Sequence, residues 1–320
     1  MTVIFIEYIM QDMLDKVNTK LLLELYRDGK ASNTELARKL GMSVMTVAKR
    51  VKKMLEEGVI TVKAIPNPEK MGYQASAFIG LKVGLKYLDD ICNRLKDNIH
   101  INLLVTSFGR FDILLIVYFR EWASLNLFIK EELSAIKGVN YIETYIVSEP
   151  IRRYQGIFQN NSTAIQPGDL DEIDYELIKE LIRNGRPSYS ELSKKLGVSI
   201  STVSRRISAL IEGDVIEIVA IPNPSRIGYF ANAFVVLKVE NSKTEDICKQ
   251  LSLFPEVHLI LKLLNHYDIL FGVNLIDIET LYDFFKKKIA EIDGILSTET
   301  FICGDFLYFS SDAVFTPFNT

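Results

Sequence analysis

Cysteine is scarce in this 320-residue chain, and three such residues cannot build a disulfide framework. Stability must come from packed cores, and a cytoplasmic setting is expected. Long apolar runs are missing too. The run from Val3 to Met10 falls far short of the ~18 residues a membrane helix needs, and no basic segment or small-residue cleavage site accompanies it. It reads as an added strand or a segment packed on a neighbour, so no membrane partner is expected. The only histidines are His100, His258 and His266. With no serine-histidine-acid set, no metal-spaced Cys/His cluster and no glycine-rich phosphate loop, neither catalysis, a metal nor a cofactor has visible residues to carry it. The chain is not expected to be an enzyme.

What is present suits a soluble globular protein: 48% apolar residues and 24% charged. The net charge of −4 gives no general attraction to nucleic acid, so any such attraction must be local. The dominant feature is a repeat. At an offset of 156 the chain aligns with itself without a gap from Leu14 and Leu170 onward. The clearest stretch is Val59 to Tyr73 (VITVKAIPNPEKMGY) over Val215 to Tyr229 (VIEIVAIPNPSRIGY). A period this long is a domain pair, not a solenoid unit, so the chain reads as a covalent pseudo-dimer. Cys92 and Cys248 occupy the same position of the two copies, as small buried side chains would.

Each copy opens with a short amphipathic helix. Leu21, Leu22 and Leu25 stop at Asp28-Gly29, and Leu177, Ile178 and Leu181 stop at Asn184-Gly185, which suggests a glycine-type C-cap. The S-x-x-E runs Ser32 to Glu35 and Ser188 to Glu191 read as capping boxes that start a second helix. That helix ends at Gly41 or Gly197, the residue best able to take a left-handed turn. Ser43 and Ser199 then cap a third helix. Its buried stripe is Val47, Val51, Met54 and Leu55, or Val203, Ile207, Leu210 and Ile211. The remaining face carries Met45, Thr46, Lys49, Arg50, Lys52 and Lys53 in copy one. In copy two it carries Ser201, Thr202, Ser204, Arg205, Arg206 and Ser208.

From Gly29 to Lys63 eight Lys or Arg stand against three Glu; the matching window from Gly185 to Val219 has five against four acids. A helix, a glycine turn and a third helix exposing small polar groups and cations is the helix-turn-helix arrangement. Its third helix lies in the DNA major groove, where Thr and Ser allow close approach and Arg can fork onto guanine. An ordinary three-helix bundle with a solvated basic face is the alternative. Val59-Ile60 and Val215-Ile216 read as a short strand in the place of a wing.

Beyond Ala75 and its counterpart the pattern becomes β-α-β-β-α-β. In copy one this reads as Ser76 to Val83, a helix near Leu88 to Leu95, Ile101 to Phe108, Ile113 to Phe119, a helix near Ala123 to Ile136, and Val139 to Val147. Copy two runs Asn232 to Val239, Glu245 to Leu253, Val257 to Leu264, Ile269 to Leu275, Glu279 to Ile292, and Ile295 to Cys303. This is a ferredoxin-like sandwich, whose bare sheet face commonly needs a partner. Between its second and third strands Gly109 permits a tight turn or close ligand approach. Asp112 can fasten the turn or accept from a ligand amine. Copy two places Asn265 at the glycine position and Lys262 where copy one has Thr106.

The chain resembles the Lrp/AsnC, or feast/famine, family of transcription regulators in tandem-duplicated form. The resemblance rests on four features: the L-x-x-D/N-G start; G-x-S-x-x-T-V-x-x-R at Gly41 to Arg50 and Gly197 to Arg206; Pro66-Asn67-Pro68 with Gly72-Tyr73; and V-T-x-x-G-x-F-D at Val105 to Asp112. It implies an α+β chain of two winged helix-turn-helix domains and two ferredoxin-like effector sandwiches, divided as 1–62, 63–150, a linker at 151–169, 170–218 and 219–320. It also implies double-stranded DNA as partner, an amino acid or related metabolite as effector near Thr106, Gly109 and Asp112, and homo-oligomers formed through the sandwiches. DNA contacts are expected from Ser43, Met45, Thr46, Lys49, Arg50, Lys52 and Lys53, and from Ser199, Ser201, Thr202, Arg205 and Arg206. Arg50 and Arg206 would touch bases and Lys53 a phosphate. The same architecture also resembles sirohaem decarboxylase subunits, which would require the histidines to line a tetrapyrrole pocket. A metabolite sensor that has abandoned DNA is a third possibility.

Overall fold

The computed structural model describes residues 15–152, 169–223, 226 and 230–309. The Val3 to Met10 run and most of the 151–169 linker lie outside them, as do Pro224, Gly228 and Tyr229 of the second linking motif. The chain divides into two compact units, with breaks at Asn67/Pro68 and Phe230/Ala231. One unit gathers both helical regions, the other both sandwiches.

In the helical unit, copy one supplies α1 (Lys16–Arg27), α2 (Asn33–Leu40), α3 (Val44–Glu56) and β1 (Ile60–Pro66). Leu21, Leu22, Leu25, Leu36, Val47, Val51 and Met54 are buried as their spacing requires, whereas Leu55 is exposed. Gly41 ends α2 at φ +65°. The box at Ser32 is complete, with Ser32 N–H donating to Glu35 at 2.7 Å.

β1 does not fold back as a wing on its own helices. It pairs antiparallel with the equivalent strand of copy two, β6 (Ile216–Pro222), with Lys63 opposite Val219. Those two positions are related by the repeat offset, so the pseudo-twofold axis passes between them. Gly29 and Gly185 follow from this pairing. Neither has the left-handed φ of a C-cap; each is glycine because the chain turns directly onto the other copy's strand. A Cβ on Gly29 would lie 2.6 Å from the Ile218 carbonyl oxygen, and one on Gly185 would lie 2.7 Å from the Lys63 backbone. Gly185 N–H donates to the Val62 carbonyl at 2.9 Å.

Copy two repeats the helices as α6 (Glu172–Arg183), α7 (Tyr189–Leu196) and α8 (Ile200–Glu212). Ser188 accepts from Glu191 N–H at 3.4 Å, and the fully reciprocal box of this copy is instead Asp171 with Asp174 at the start of α6.

The sandwich unit contains, from copy one, β2 (Ala75–Val83), α4 (Leu88–Leu95), β3 (Ile101–Phe108), β4 (Ile113–Phe119), α5 (Trp122–Leu127) and β5 (Val139–Arg152). Copy two gives β7 (Ala231–Val239), α9 (Thr244–Ser252), β8 (Val257–Leu263), β9 (Ile269–Leu275), α10 (Ile278–Phe284) and β10 (Ile295–Phe309). The long helices expected after β4 and β9 each widen into a π-helical turn, at Phe128–Leu133 and Phe285–Ile289. β5 and β10 run past their expected ends because each pairs across to the other copy, β5 with β8 and β10 with β3. The eight strands close into a barrel in the order β10-β3-β4-β2-β5-β8-β9-β7, which leaves no free edge.

One apolar cluster packs each sheet against its own helices, through residues such as Ile79, Leu115 and Phe128 in copy one and Val235, Phe271 and Phe284 in copy two. The opposite faces meet through aromatic rings: Phe78 lies 5.5 Å from Phe234 and 6.2 Å from Phe301, and Phe111 lies 5.2 Å from Phe301. Repeat-related positions have drifted in compensating ways. His258 stands where copy one has Asn102, and Gly272 where it has Ile116. A Cβ on Gly272 would meet the His258 ring at 2.7 Å, so the larger ring occupies the space the smaller residue vacates.

Gly185→Ala is expected to destabilise the helical unit by about 1 to 3 kcal/mol through overpacking against β1, read as a lowered midpoint in urea. Burial, aided by the nearby Arg152 cation, pushes the His258 imidazole down to about 3. Between that value and the ordinary histidine range, 6.5, the unfolded chain binds the extra proton, so stability is complete above pH 6.5 and lost as pH falls. His258→Asn should flatten this part of the stability-pH curve, measured by denaturation at pH 7 and pH 5.

Candidate nucleic-acid interface

The third helices α3 and α8 are positioned by their buried stripes, Val47-Val51-Met54 and Val203-Ile207-Leu210. Their starts are fixed by serine caps. Ser43 Oγ accepts from Thr46 N–H at 3.1 Å and lies 2.8 Å from Thr46 Oγ1. Ser199 repeats both contacts with Thr202 and adds Ser201 Oγ at 2.8 Å. The two caps therefore position their helices and pre-orient the hydroxyls of Thr46, Ser201 and Thr202.

Met45 is 82% exposed at the tip of α3. Ser43, Thr46, Lys49, Lys52 and Lys53 are exposed, as are Ser199, Ser201 and Arg205, while Thr202 is half-buried. Lys52 and Lys53 run along the helix to Glu56 and Glu57, each at 3.6 Å. Lys49 and Arg205 are equivalent by the repeat offset, and among the described residues neither makes an ion pair.

Arg50 and Arg206 are placed differently from the outward orientation read from the sequence. Arg50 Nη1 donates to the Asp15 carboxylate at 2.6 Å and to Asn18 Oδ1 at 2.9 Å. Arg206 Nη1 donates to Asp171 and Asp174 at 2.8–2.9 Å. Asp15 and Asp171 are the N-caps of α1 and α6, so each arginine ties the third helix to the start of the first. Partial burial opposes ionisation of Asp15, yet the Arg50 hydrogen bond and the amides of Asn18 and Val17 hold it below the usual carboxylate range. Asp171 is likewise low: burial works against it, and the Asp174 amide and Arg206 overcome that.

At the expected effector turn, Asp112 is buried and its carboxylate is occupied. Oδ1 accepts from Lys82 Nζ at 2.9 Å and Oδ2 from Val83 N–H at 2.8 Å, while Lys82 Nζ also reaches the Gly109 carbonyl at 3.1 Å. Asp268 repeats this with Lys238 and Val239. Gly109 has φ +111° and open space beside it. Thr106 Oγ1 lies 2.6 Å from where a Cβ on Gly304 would be, at the seam with β10. In copy two Asn265 grips β5, accepting from Ile146 N–H at 3.1 Å and donating to the Thr144 carbonyl at 2.7 Å. Lys262 is paired with Glu149 and Glu245.

Sequence reasoning missed Arg110. It donates to Glu143 and, at 3.0 Å, to Glu299, two repeat-equivalent acids, so one cation joins both copies. Tyr141 and Tyr267 complete the cluster through hydroxyls on Glu143 and Glu299. Equivalence of the acids under the offset was the available signal.

Among the described residues no group of His, Cys, Asp or Glu could hold a metal, and no helix is long and apolar enough to cross a membrane. Paired helix-turn-helix domains with paired βαββαβ sandwiches define a DNA-binding regulator with a ligand-binding module. The comparisons agree. Residues 14–61 and 170–217 match the winged helix-turn-helix DNA-binding family, and 76–157 and 232–306 match the Lrp/AsnC ligand binding domain. The HTH-type transcriptional regulator PH0140 of Pyrococcus horikoshii is 38% identical over 135 residues, 42% of this chain and 85% of that protein. The HTH-type transcriptional regulator Ptr1 of Methanocaldococcus jannaschii is 32% identical over 136 residues, 42% of this chain and 92% of its own length. The chain belongs to the Lrp/AsnC family of transcription regulators and carries the family's unit twice. In solved structures, the siroheme decarboxylase NirDL covers 93% of this chain and 96% of its own, with a TM-score of 0.64 and 17% identity, a likeness of fold alone.

Arg206→Ala is expected to destabilise the helical unit, because it leaves Asp171 and Asp174 adjacent without their shared cation, whereas Arg205→Ala on the neighbouring exposed position should leave the unfolding midpoint within about 0.5 kcal/mol. Urea denaturation of the two variants checks the contrast.

Proposed function

We propose that the chain recognises an asymmetric stretch of double-stranded DNA, with α3 and α8 as the two reading helices. The observation that carries this is the pair Lys49 and Arg205: equivalent, exposed cations free of acidic partners among the described residues. Met45, Thr46, Ser201 and Thr202 lie on the same helices. Lys49 faces its half-site as a point charge and Arg205 as a planar fork, so the two half-sites need not match. Ser43 and Ser199 act chiefly as caps, and Lys52 and Lys53 add phosphate attraction. Arg50 and Arg206 act as positioning residues that hold the reading helices at a fixed angle to α1 and α6.

The sandwiches serve an amino acid or related small metabolite, in keeping with the ligand-binding domain that they match. Because Asp112 is committed to Lys82 and Val83, an effector at this turn is addressed through Thr106 and the open side of Gly109. Copy two, with Asn265 and Lys262 engaged, offers no equivalent opening. Further chains would assemble through the sandwiches, in the cytoplasm where DNA is accessible. A tetrapyrrole enzyme of the siroheme decarboxylase class is the competing reading. Two of the three histidines give it no support, since His100 stacks on Phe119 at 4.1 Å and His258 is enclosed beside Phe234, while His266 is exposed beside Tyr267.

Genome-wide recovery of DNA bound to the tagged protein, followed by titration of a recovered site, tests the proposal. Arg205→Ala should weaken that site by about 1 to 3 kcal/mol and relax its preference at one base position. Unchanged affinity and preference in both Lys49→Ala and Arg205→Ala would refute it, and a Soret band on the purified protein would favour the enzyme.

A further inference from the structure

A hollow of about 310 Å³ opens on the helical unit where the two copies meet. Lys30, Ser32 and Asn33 line it from copy one, and Gly185, Arg186 and Tyr189 from copy two. Lys30 and Arg186 are equivalent under the repeat offset, as are Asn33 and Tyr189, so both copies present the same segment to it. Each of those segments starts a helix of eight residues, α2 and α7, whose dipole favours negative charge, with the serine caps and the first-turn Glu35 and Glu191 already at those helix starts.

Two cations therefore line the hollow, and among the described residues neither Lys30 nor Arg186 makes an ion pair; Asp28 offsets part of their charge, favouring the Arg186 cation and accepting from Lys30 N–H at 3.2 Å. Arg186 is partly desolvated, and its guanidinium donates to the Ala31 carbonyl of the other copy. Asn33 lines the same hollow, and its Oδ1 is buried with no hydrogen-bond partner; turning the amide over would place a donor there instead. Bringing two like charges to a partly dry hollow costs free energy unless an anion compensates.

We propose that this hollow binds a phosphate group between Lys30 and Arg186, with the Asn33 amide completing its hydrogen bonds. A tetrahedral group with several charged oxygens can meet a lysine from one side and an arginine fork from the other. Because one cation comes from each copy, the bound phosphate ties the two reader domains together at their seam. The phosphate is either one of the DNA backbone or a free phosphate.

Salt titrations of a mixed-sequence duplex, followed by anisotropy with the full chain, separate the two sources when combined with thermal unfolding in potassium phosphate against potassium chloride of equal ionic strength. For a backbone phosphate, Lys30→Gln and Arg186→Gln should each lower the slope of log affinity against log salt by about 0.9, and Arg186→Lys should restore it. For a free phosphate, the wild-type chain should unfold at a higher temperature in phosphate than in chloride, and both glutamine variants should lose that difference. Lys30 is exposed, so its variant keeps the test valid if Arg186→Gln weakens the seam. Slopes unchanged in both variants, together with no phosphate-specific stabilisation of the wild type, would overturn the proposal. The backbone arm rests on the DNA reading proposed above; the free-phosphate arm does not, so failure to recover DNA from cells would sink the former reading alone.

Discussion

Backbone hydrogen bonds exchanged between the copies are the constraint on which the rest depends. β1 pairs with β6, β5 with β8 and β10 with β3, so neither repeat completes its sheets alone. An open sheet edge is a liability in water, and mutual pairing closes the sandwich barrel without one, while in the helical unit it gives each lone strand its partner. The demands on the side chains follow. Glycine is needed at 29 and 185 because a strand of the other copy occupies the space of a side chain. β5 and β10 must be long because each serves two sheets. The inward faces must be apolar because the sheets bury one another, and Phe78, Tyr145, Phe234 and Phe301 fill that interior.

Much of this was legible in the sequence. Helix starts and ends came from side chains that act locally, such as Ser32 with Glu35 and the left-handed Gly41 and Gly197. Strand limits in the sandwiches came from alternation set by local burial. What was illegible depends on partners distant in sequence. Nothing near Val59 says that the following strand pairs with residue 219 instead of forming a wing, and nothing near Val147 says that β5 continues to Arg152. Arg50 and Arg206 are instructive, because a signal was present: Arg50 lies three residues after Val47 and four before Met54, on the flank of the buried stripe. Asp15 and Asp171, retained at the same offset, are the acids it would be expected to meet. Asp112 and Asp268 carried a comparable signal, since both copies keep them although only one keeps the adjacent glycine.

Fusion has let the copies diverge in charge while the fold of each is kept. His100 and Glu132 of copy one correspond to Glu256 and Lys288 of copy two, where the acid accepts from the lysine at 2.6 Å; burial lowers the His100 pKa, so copy two has an ion pair where copy one sets a carboxylate near an uncharged ring. Asn265 replaces a glycine and uses its amide to fasten the neighbouring strand. The result is a molecule with twofold architecture and unequal halves, which is what a reader of two different half-sites requires.

The residues on the local axis carry this inequality furthest. In a homodimer, whatever sits on a twofold axis must face its own twin, and two lysines directly opposed in a ribbon repel. Here Lys63 faces Val219 instead. Pairing of the first repeat with a first repeat from another molecule would place ammonium against ammonium, so the ribbon itself selects a second repeat, not a first, as the partner of each first repeat.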